Sequence, residues 1–199
     1  RDITVSWKLR EMAVEDFIPF IQGKLAKKMG AALSYGVASG QGQPGVGDTF
    51  KPEPKGIITA LEAETDTPQI VEYTTGSMEY SDLANARAKI KAGASDLAIY
   101  ANSATIWGEL ANVKDQNGRP IMISDPTAVG VQRIFGIPVK EEDVMEDGDV
   151  LISAPSVGYI ANVNKNMSLT TEEHAKARTA DYCAYAIVDG DVTTTKAHA

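Results

Sequence analysis

Between Ile18 and Leu33 the apolar side chains Ile18, Ile21, Leu25, Met29 and Leu33 recur every three or four residues, and the run then stops at a cluster of glycines. With Lys24, Lys27 and Lys28 between them, they predict an amphipathic helix of about five turns. Asp16 is placed to cap it. Pro19 falls in the first turn, where its missing N–H matters little because those donors have no intrahelical partner. Gly23 costs roughly 1 kcal/mol against alanine, so the helix must be held by packing on other elements. It ends in GVASGQGQPGVG (36–47), followed by FKPEPKG (50–56), where Pro52 and Pro54 oppose both helix and central strand. About 20 residues without regular structure are long for a compact domain. A domain boundary is therefore expected within 36–56.

The chain has 199 residues, 43% of them apolar, enough for a real core in one or two modest domains. No run approaches the roughly 18 uninterrupted apolar residues of a membrane span, and no basic-then-apolar leader opens the sequence, so no membrane partner is expected and a soluble intracellular protein is the default. The single cysteine, Cys183, excludes an internal disulfide and a cysteine-based zinc site; it implies a reducing compartment, and its thiol is read as packing. Nineteen basic against 27 acidic residues give a net charge of −8, which repels polyphosphate and supplies no counterion release to drive specific nucleic-acid binding. The sequence opens on Arg1 without methionine and stops at Ala199 in a strand-like run, which suggests part of a longer product.

Ahead of the long helix, 2–5 reads as a strand, and Ser6 caps a short helix through about Ala13. Beyond the connector, Ser81 and Asp82 cap a helix with Leu83, the Arg87 stem and Ile90 inward. LAIYA (97–101) reads as a buried strand and 103–113 as a helix centred on Trp107. KDQNGR (114–119) reverses on Asn117 and Gly118, and PIMIS comes next as a strand. After Arg133, Ile134 and Phe135 come a turn at 136–138, an acidic loop at 140–149 and a strand VLIS at 150–153. Alternating runs at 167–171 and 182–188, a turn at Asp189 and Gly190, and a strand at 192–196 complete the chain.

Gly40, Gly42 and Gly45 fit the dinucleotide pattern GxGxxG, and Glu62 stands about 20 residues on, at the separation of a ribose contact. That pattern needs a strand before it and a helix after it, so that a helix N-terminus meets the phosphate. Here the order is reversed, Pro44 removes an N–H, and no Gly-Lys-Ser/Thr comes after. The glycines are read as a corner, with Gly42 and Gly45 chosen for their permissive φ. Ser156, in APSVG after VLIS, loosely fits a nucleophile elbow, but the segment after it looks like a strand, and APSVG is read as a surface turn. Only His174, in a polar run, and His198, near the chain's end, offer a base. Glu141, Glu142, Asp143, Glu146, Asp147 and Asp149 lack the spacing of a calcium loop. No catalytic, cofactor-binding or metal-binding residue is assigned, and no cofactor is expected.

The order of landmarks carries more information. A helix, break and long helix end in ALSYGVASGQGQPG; after it come LAIYANSAT, WGELANVKD, QNGRPI, FGIPV, VLISAPSVGYI and AYAIVDGDV. The series resembles the major capsid proteins of tailed double-stranded DNA bacteriophages, the Hong Kong 97 fold. Gly40, Gly42, Pro44 and Gly45 match the family's small-residue corner after its spine helix. Asn102, Ser103, Ala104 and Thr105 match its strand end. Lys114, Asp115, Gly118 and Arg119 match its turn, and Ile187, Val188, Asp189 and Gly190 its terminal segment. Ala186 or Ile187 stands where the family has arginine, and Ala154, Pro155 and Ser156 where it has Gly-Asp-Phe.

The resemblance implies an α+β fold: a long spine helix, a peripheral domain with a small antiparallel sheet (1–45 and about 157–186), and an axial α/β domain (about 46–156 and 187–199). The family's N-terminal arm and extended loop would precede Arg1. It further implies a structural protein that is not an enzyme. Its partners would be copies of itself, joined as hexamers and pentamers of an icosahedral shell around double-stranded DNA, in a virion assembled in the bacterial cytoplasm. Two alternatives stand beside it: an encapsulin-like compartment of the same fold, and a small α/β hydrolase or nucleotide-binding enzyme using Ser156 or the 40–45 glycines.

Overall fold

The computed structural model describes residues 2–12, 17–92, 96–125 and 130–199. The expected cap at Asp16 and the helix end near Ala13 lie outside them. The chain divides into two compact units, Arg1–Ser34 with Ala161–Asp189, and Tyr35–Ile160 with Gly190–Ala199. The division falls between Ser34 and Tyr35, inside the long helix and ahead of the 36–56 connector, because the last helical turn packs with residues beyond the connector. Ala38 sits in one buried cluster with Ile57 and Leu61.

In the first unit, strand β1 (Asp2–Ser6) leads into helix α1 (Trp7–Met12), and α2 (Phe17–Ser39) is the long helix. Two long strands come much later in sequence, β7 (Tyr159–His174) and β8 (Thr179–Val192). The sheet order is β1-β8-β7, with Asp2 opposite Cys183 and Ser6 opposite Thr179. Period two along β8 sends Ala180, Tyr182 and Ala184 inward, onto Ile21 and Leu25 of α2 and Val5 of β1. Each large apolar side chain so buried stabilises the unit by about 1.5–3 kcal/mol. Cys183 lies between two inward residues and therefore points the other way: it is exposed, not packed. Of the predicted helical stripe, Ile21 and Leu25 are buried, while Ile18 and Leu33 at its ends are exposed.

The second unit contains α3 (Ile57–Glu62), α4 (Tyr80–Lys89), β2 (Ala98–Ala101), α5 (Ser103–Gly108), β3 (Ile123–Ser124), β4 (Gln132–Ile134), β5 (Ile137–Glu141), β6 (Leu151–Ser153) and the single turn α6 (Pro155–Gly158). Its sheet runs β3-β4-β5-β2-β6, parallel only between β2 and β5. Ile99, Leu110, Ile134 and Ile152 form the centre of its core, against Leu83 of α4 and Ile106 of α5.

Several local expectations change. The α4 cap is Glu79, not Ser81, in a reciprocal capping box with Asp82. The helix expected over 103–113 stops at Gly108, a 3-10 turn (Leu110–Asn112) comes after it, and Trp107 is exposed. Of PIMIS, Ile123 and Ser124 pair as a short strand, and Pro120 makes an isolated bridge to Lys114. The turn expected at 136–138 is the two-residue reversal Phe135 and Gly136, both at positive φ (52° and 77°), so β5 begins at Ile137 and takes the first two residues of the acidic stretch. No turn forms at Asp189 and Gly190. Strand β8 runs through them, and glycine at 190 makes room for the Tyr159 ring, whose carbons would lie 2.8 Å from an added Cβ. The last strand expected over 192–196 is a 3-10 turn, Thr195–Ala197.

Candidate functional site

The glycine corner is the first candidate. Gly40 N–H donates to Gly36 O at 3.1 Å as α2 ends. The Pro-rich segment then returns over it: Gly56 N–H donates to Gly40 O at 2.7 Å and Glu53 N–H to Gly42 O at 3.1 Å. A Cβ on Gly40 would overlap the Pro54 carbonyl, and one on Gly56 would lie 2.7 Å from the Ser39 backbone, so both glycines allow two backbones to touch. Gly42 has φ +81°. Gly45 meets only the Asp48 carboxylate, at 3.4 Å, so it is not among the positions that demand glycine.

The electrostatics oppose an anion. This is the C-terminal end of a helix, where the dipole is negative. The amides of Gln41 and Gly45 are taken by the carboxylates of Glu53 (2.8 Å) and Asp48 (2.7 Å). Glu62 lies on α3 and lines a cavity of the second unit.

The serine candidates separate. Ser156 sits on α6, one helical turn where a surface turn was expected, and its exposed hydroxyl donates to Asp96. Its histidine partner is absent: His198 pairs instead with Ser153, at 2.8 Å from Oγ to Nδ1. Both residues of that pair are fully buried. The far nitrogen of His198 lies against the Gly158 backbone and not against a carboxylate. Burial holds its pKa below the ordinary histidine value, with a backbone contact to Gly158 opposing. A nucleophile needs access to substrate and a base oriented by an acid. This pair instead fastens the chain's end to β6, beside the paired backbones of Ile152 with Ala199 and of Ala154 with Ala197. Forty-five positions separate Ser153 from His198, and nothing in the local sequence signals their meeting. His174 belongs to the first unit, hydrogen-bonded to Asp181 at 3.0 Å.

The acidic loop is organised by Asn102. Its Oδ1 accepts from Thr105 N–H at 2.8 Å to cap α5, while its Nδ2 donates to Met145 O at 3.2 Å and to the Asp147 carboxylate. Thr105 Oγ1 accepts from Gly148 N–H at 2.9 Å, and Tyr73 donates to Gly148 O. Among the described residues no three His, Cys, Asp or Glu side chains converge as metal ligands, and no helix is long and apolar enough to cross a membrane.

What the surface offers is apolar. Strand β7 lies at the edge of its sheet and exposes Ile160, Val163, Met167 and Leu169; β8 exposes Tyr185 and Ile187. Within the first unit a groove of about 450 Å³ runs between Pro19, Gln22 and Ala26 of α2 and Met167 and Leu169 of β7. In the second unit a cavity of about 210 Å³ lies among α3, α4 and β6.

A model of the phage capsid family matches residues 3–199. Among solved structures, the chain is similar to the capsid of an empty GTA particle, with TM-score 0.75 and 18% identity over 100% of this chain and 70% of that one. It is also similar to a Microbacterium phage Oxtober96 structure (TM-score 0.70, 11% identity, 96% and 64% covered). A third likeness is to the holo-SrpI encapsulin complex from Synechococcus elongatus PCC 7942 (TM-score 0.66, 16% identity, 100% and 70% covered). No curated protein matches.

Proposed function

The chain belongs to the phage capsid family and is a structural major capsid protein, and from that premise we propose that its copies assemble as hexamers and pentamers of an icosahedral shell around double-stranded DNA. The shell belongs to a virion built in the bacterial cytoplasm. The unit holding most of α2 and the β1-β8-β7 sheet takes the peripheral place in the capsomer, and the other unit the axial place. The observation that carries self-assembly is β7, a 16-residue edge strand that leaves four large apolar side chains in water. An exposed edge of that length is a template for another chain unless it is covered, and exposed apolar patches mark interaction sites.

Charge supports the container role. The second unit carries ten Lys and Arg against nineteen Asp and Glu, so a wall made of it does not grip packaged DNA. Electron microscopy of the full-length protein at high concentration tests the proposal. Closed shells enclosing nuclease-protected DNA support it; particles that hold a protein cargo and no DNA assign the chain to an encapsulin-like compartment; absence of shells, rings and sheets refutes assembly altogether.

A further inference from the structure

Helix α2 carries three charged residues along its 23 positions, and all are lysines: Lys24, Lys27 and Lys28. Helical spacing aligns Phe20, Lys24, Lys27 and Ala31 on one stripe, turned away from buried Ile21 and Leu25. Phe20 is 60% exposed. The Lys24 ammonium stands 5.4 Å from its ring centroid, which makes an apolar knob with a cation on top. Among the described residues none of these three lysines pairs with a carboxylate.

The cavity of the second unit has the complementary character. Its walls are apolar, with Ile58, Leu61, Met78 and Leu83, and its charged lining consists of Glu62, Asp82 and Asp149 without one basic side chain. Burial first, then the nearby carboxylates of Glu146 and Glu62, raise the Asp149 pKa above its ordinary value, as expected where like charges crowd without a cation. About 210 Å³ is smaller than the roughly 300–1,000 Å³ of a small-molecule site, and suits one inserted side chain.

We propose that the Phe20, Lys24 and Lys27 stripe of one copy docks on the cavity flanked by Glu62 and Asp149 in a second copy of this chain. The two surfaces are different, so the contact is head-to-tail, the kind that closes into rings when the rotation per subunit allows. Opposite charge sets its register and the inserted ring supplies burial. Packaged DNA is a weaker occupant for the stripe, because neutralising phosphates with its two lysines releases only about two counterions. The inference rests on the self-assembly reading, and the experiment keeps the two apart.

In the full-length protein, Lys24→Glu/Lys27→Glu and Glu62→Lys/Glu146→Lys are made separately and together, all at exposed positions. Assembly is monitored by light scattering and sedimentation velocity. Each charge reversal is expected to raise the concentration for half-assembly by about tenfold, and the combined swap to return it to within about threefold of the parent. Phe20→Ala is expected to weaken assembly without a change in its salt dependence. Silent reversals, or a combined swap no better than either half, overturn the contact while the self-assembly reading stands. A lysine variant that assembles normally but retains less DNA overturns it in favour of nucleic acid. A parent protein that never assembles overturns both.

Discussion

Gly158 is the position where a single methyl group tests the most structure. It ends α6 and packs against the buried His198. A Cβ added there would lie 2.5 Å from His198 Cε1 and 2.7 Å from Ala197 Cβ, distances that real Cβ atoms do not tolerate, and still nearer to Nε2. The neighbours have little room to yield, since His198 and Ala197 are both fully buried. Overpacking of this kind costs about 1–3 kcal/mol. If the imidazole swings away, the Ser153 hydrogen bond breaks inside the core, and an unsatisfied buried group costs about 1–3 kcal/mol more. Gly158→Ala is therefore expected to destabilise by about 2–5 kcal/mol, a drop of roughly 5–15 °C in melting temperature for a chain this long. Urea unfolding monitored by circular dichroism measures it, with Gly158→Ala, His198→Ala and the double variant in one cycle. The double variant should fall short of the summed single losses by at least about 1 kcal/mol, because removing the imidazole removes the clash. A Gly158→Ala protein within about 0.5 kcal/mol of the parent, or strictly additive losses, would refute the packing argument.

The same imidazole makes stability depend on pH. Its folded pKa lies below the ordinary value of about 6.5, so below that pH the unfolded chain binds more protons, and stability that is complete above about 6.5 falls as the pH drops. Urea midpoints between about pH 5 and 8 should show that slope in the parent and a flatter one in His198→Gln; equal slopes contradict the assignment. Gly40→Ala forces a side chain into the Pro54 carbonyl and should cost at least about 3 kcal/mol, whereas Gly45→Ala, facing only Asp48, should stay within about 0.5 kcal/mol; similar midpoints for the two would contradict the corner's geometry. Asn102→Ala removes the α5 cap and the tie to the acidic loop together and should cost about 2–3 kcal/mol, with faster amide exchange at Gly148; unchanged exchange there would separate the loop from Asn102.

Parts of the fold whose stabilising partners are close in sequence were legible. The middle of α2 and strand β2 come from hydrophobic period, and the reversal at Asn117 and Gly118 from turn chemistry: Gly118 has φ +78° and the Asp115 carboxylate accepts from both Asn117 and Arg119 N–H. Contacts between distant residues were not. The reversal at Phe135 puts a bulky residue at positive φ, which turn preferences argue against, and its ring packs edge-on against Tyr80 of α4, with centroids 5.2 Å apart. The Ser153 and His198 pair, and the close crossing of Gly40 and Gly56, likewise need the tertiary structure to bring their partners together.

Strand β7 is legible in the sequence only in pieces, for a different reason, and that reason bears on function. A strand announces itself when one face is dry and the other wet, so that apolar and polar residues alternate. Along β7 nearly every residue is exposed on both faces, and only its start, just after APSVG, and the short run at 167–171 read as strand from the sequence. Its apolar residues Ile160, Val163, Met167 and Leu169 nonetheless stand exposed at the surface of one subunit. A single chain with such an edge is exposed to unwanted pairing. In a subunit whose neighbours cover it, the same edge becomes interior, and its pattern is set by the neighbour's surface. The weak strand signal in one copy is thus what a strand completed by another copy should show. Hydrogen exchange compares the two states directly: β7 amides should exchange fast in the dissociated subunit and gain protection on assembly, while β2 amides stay protected in both. Equal protection of β7 in the two states would remove it from the interface.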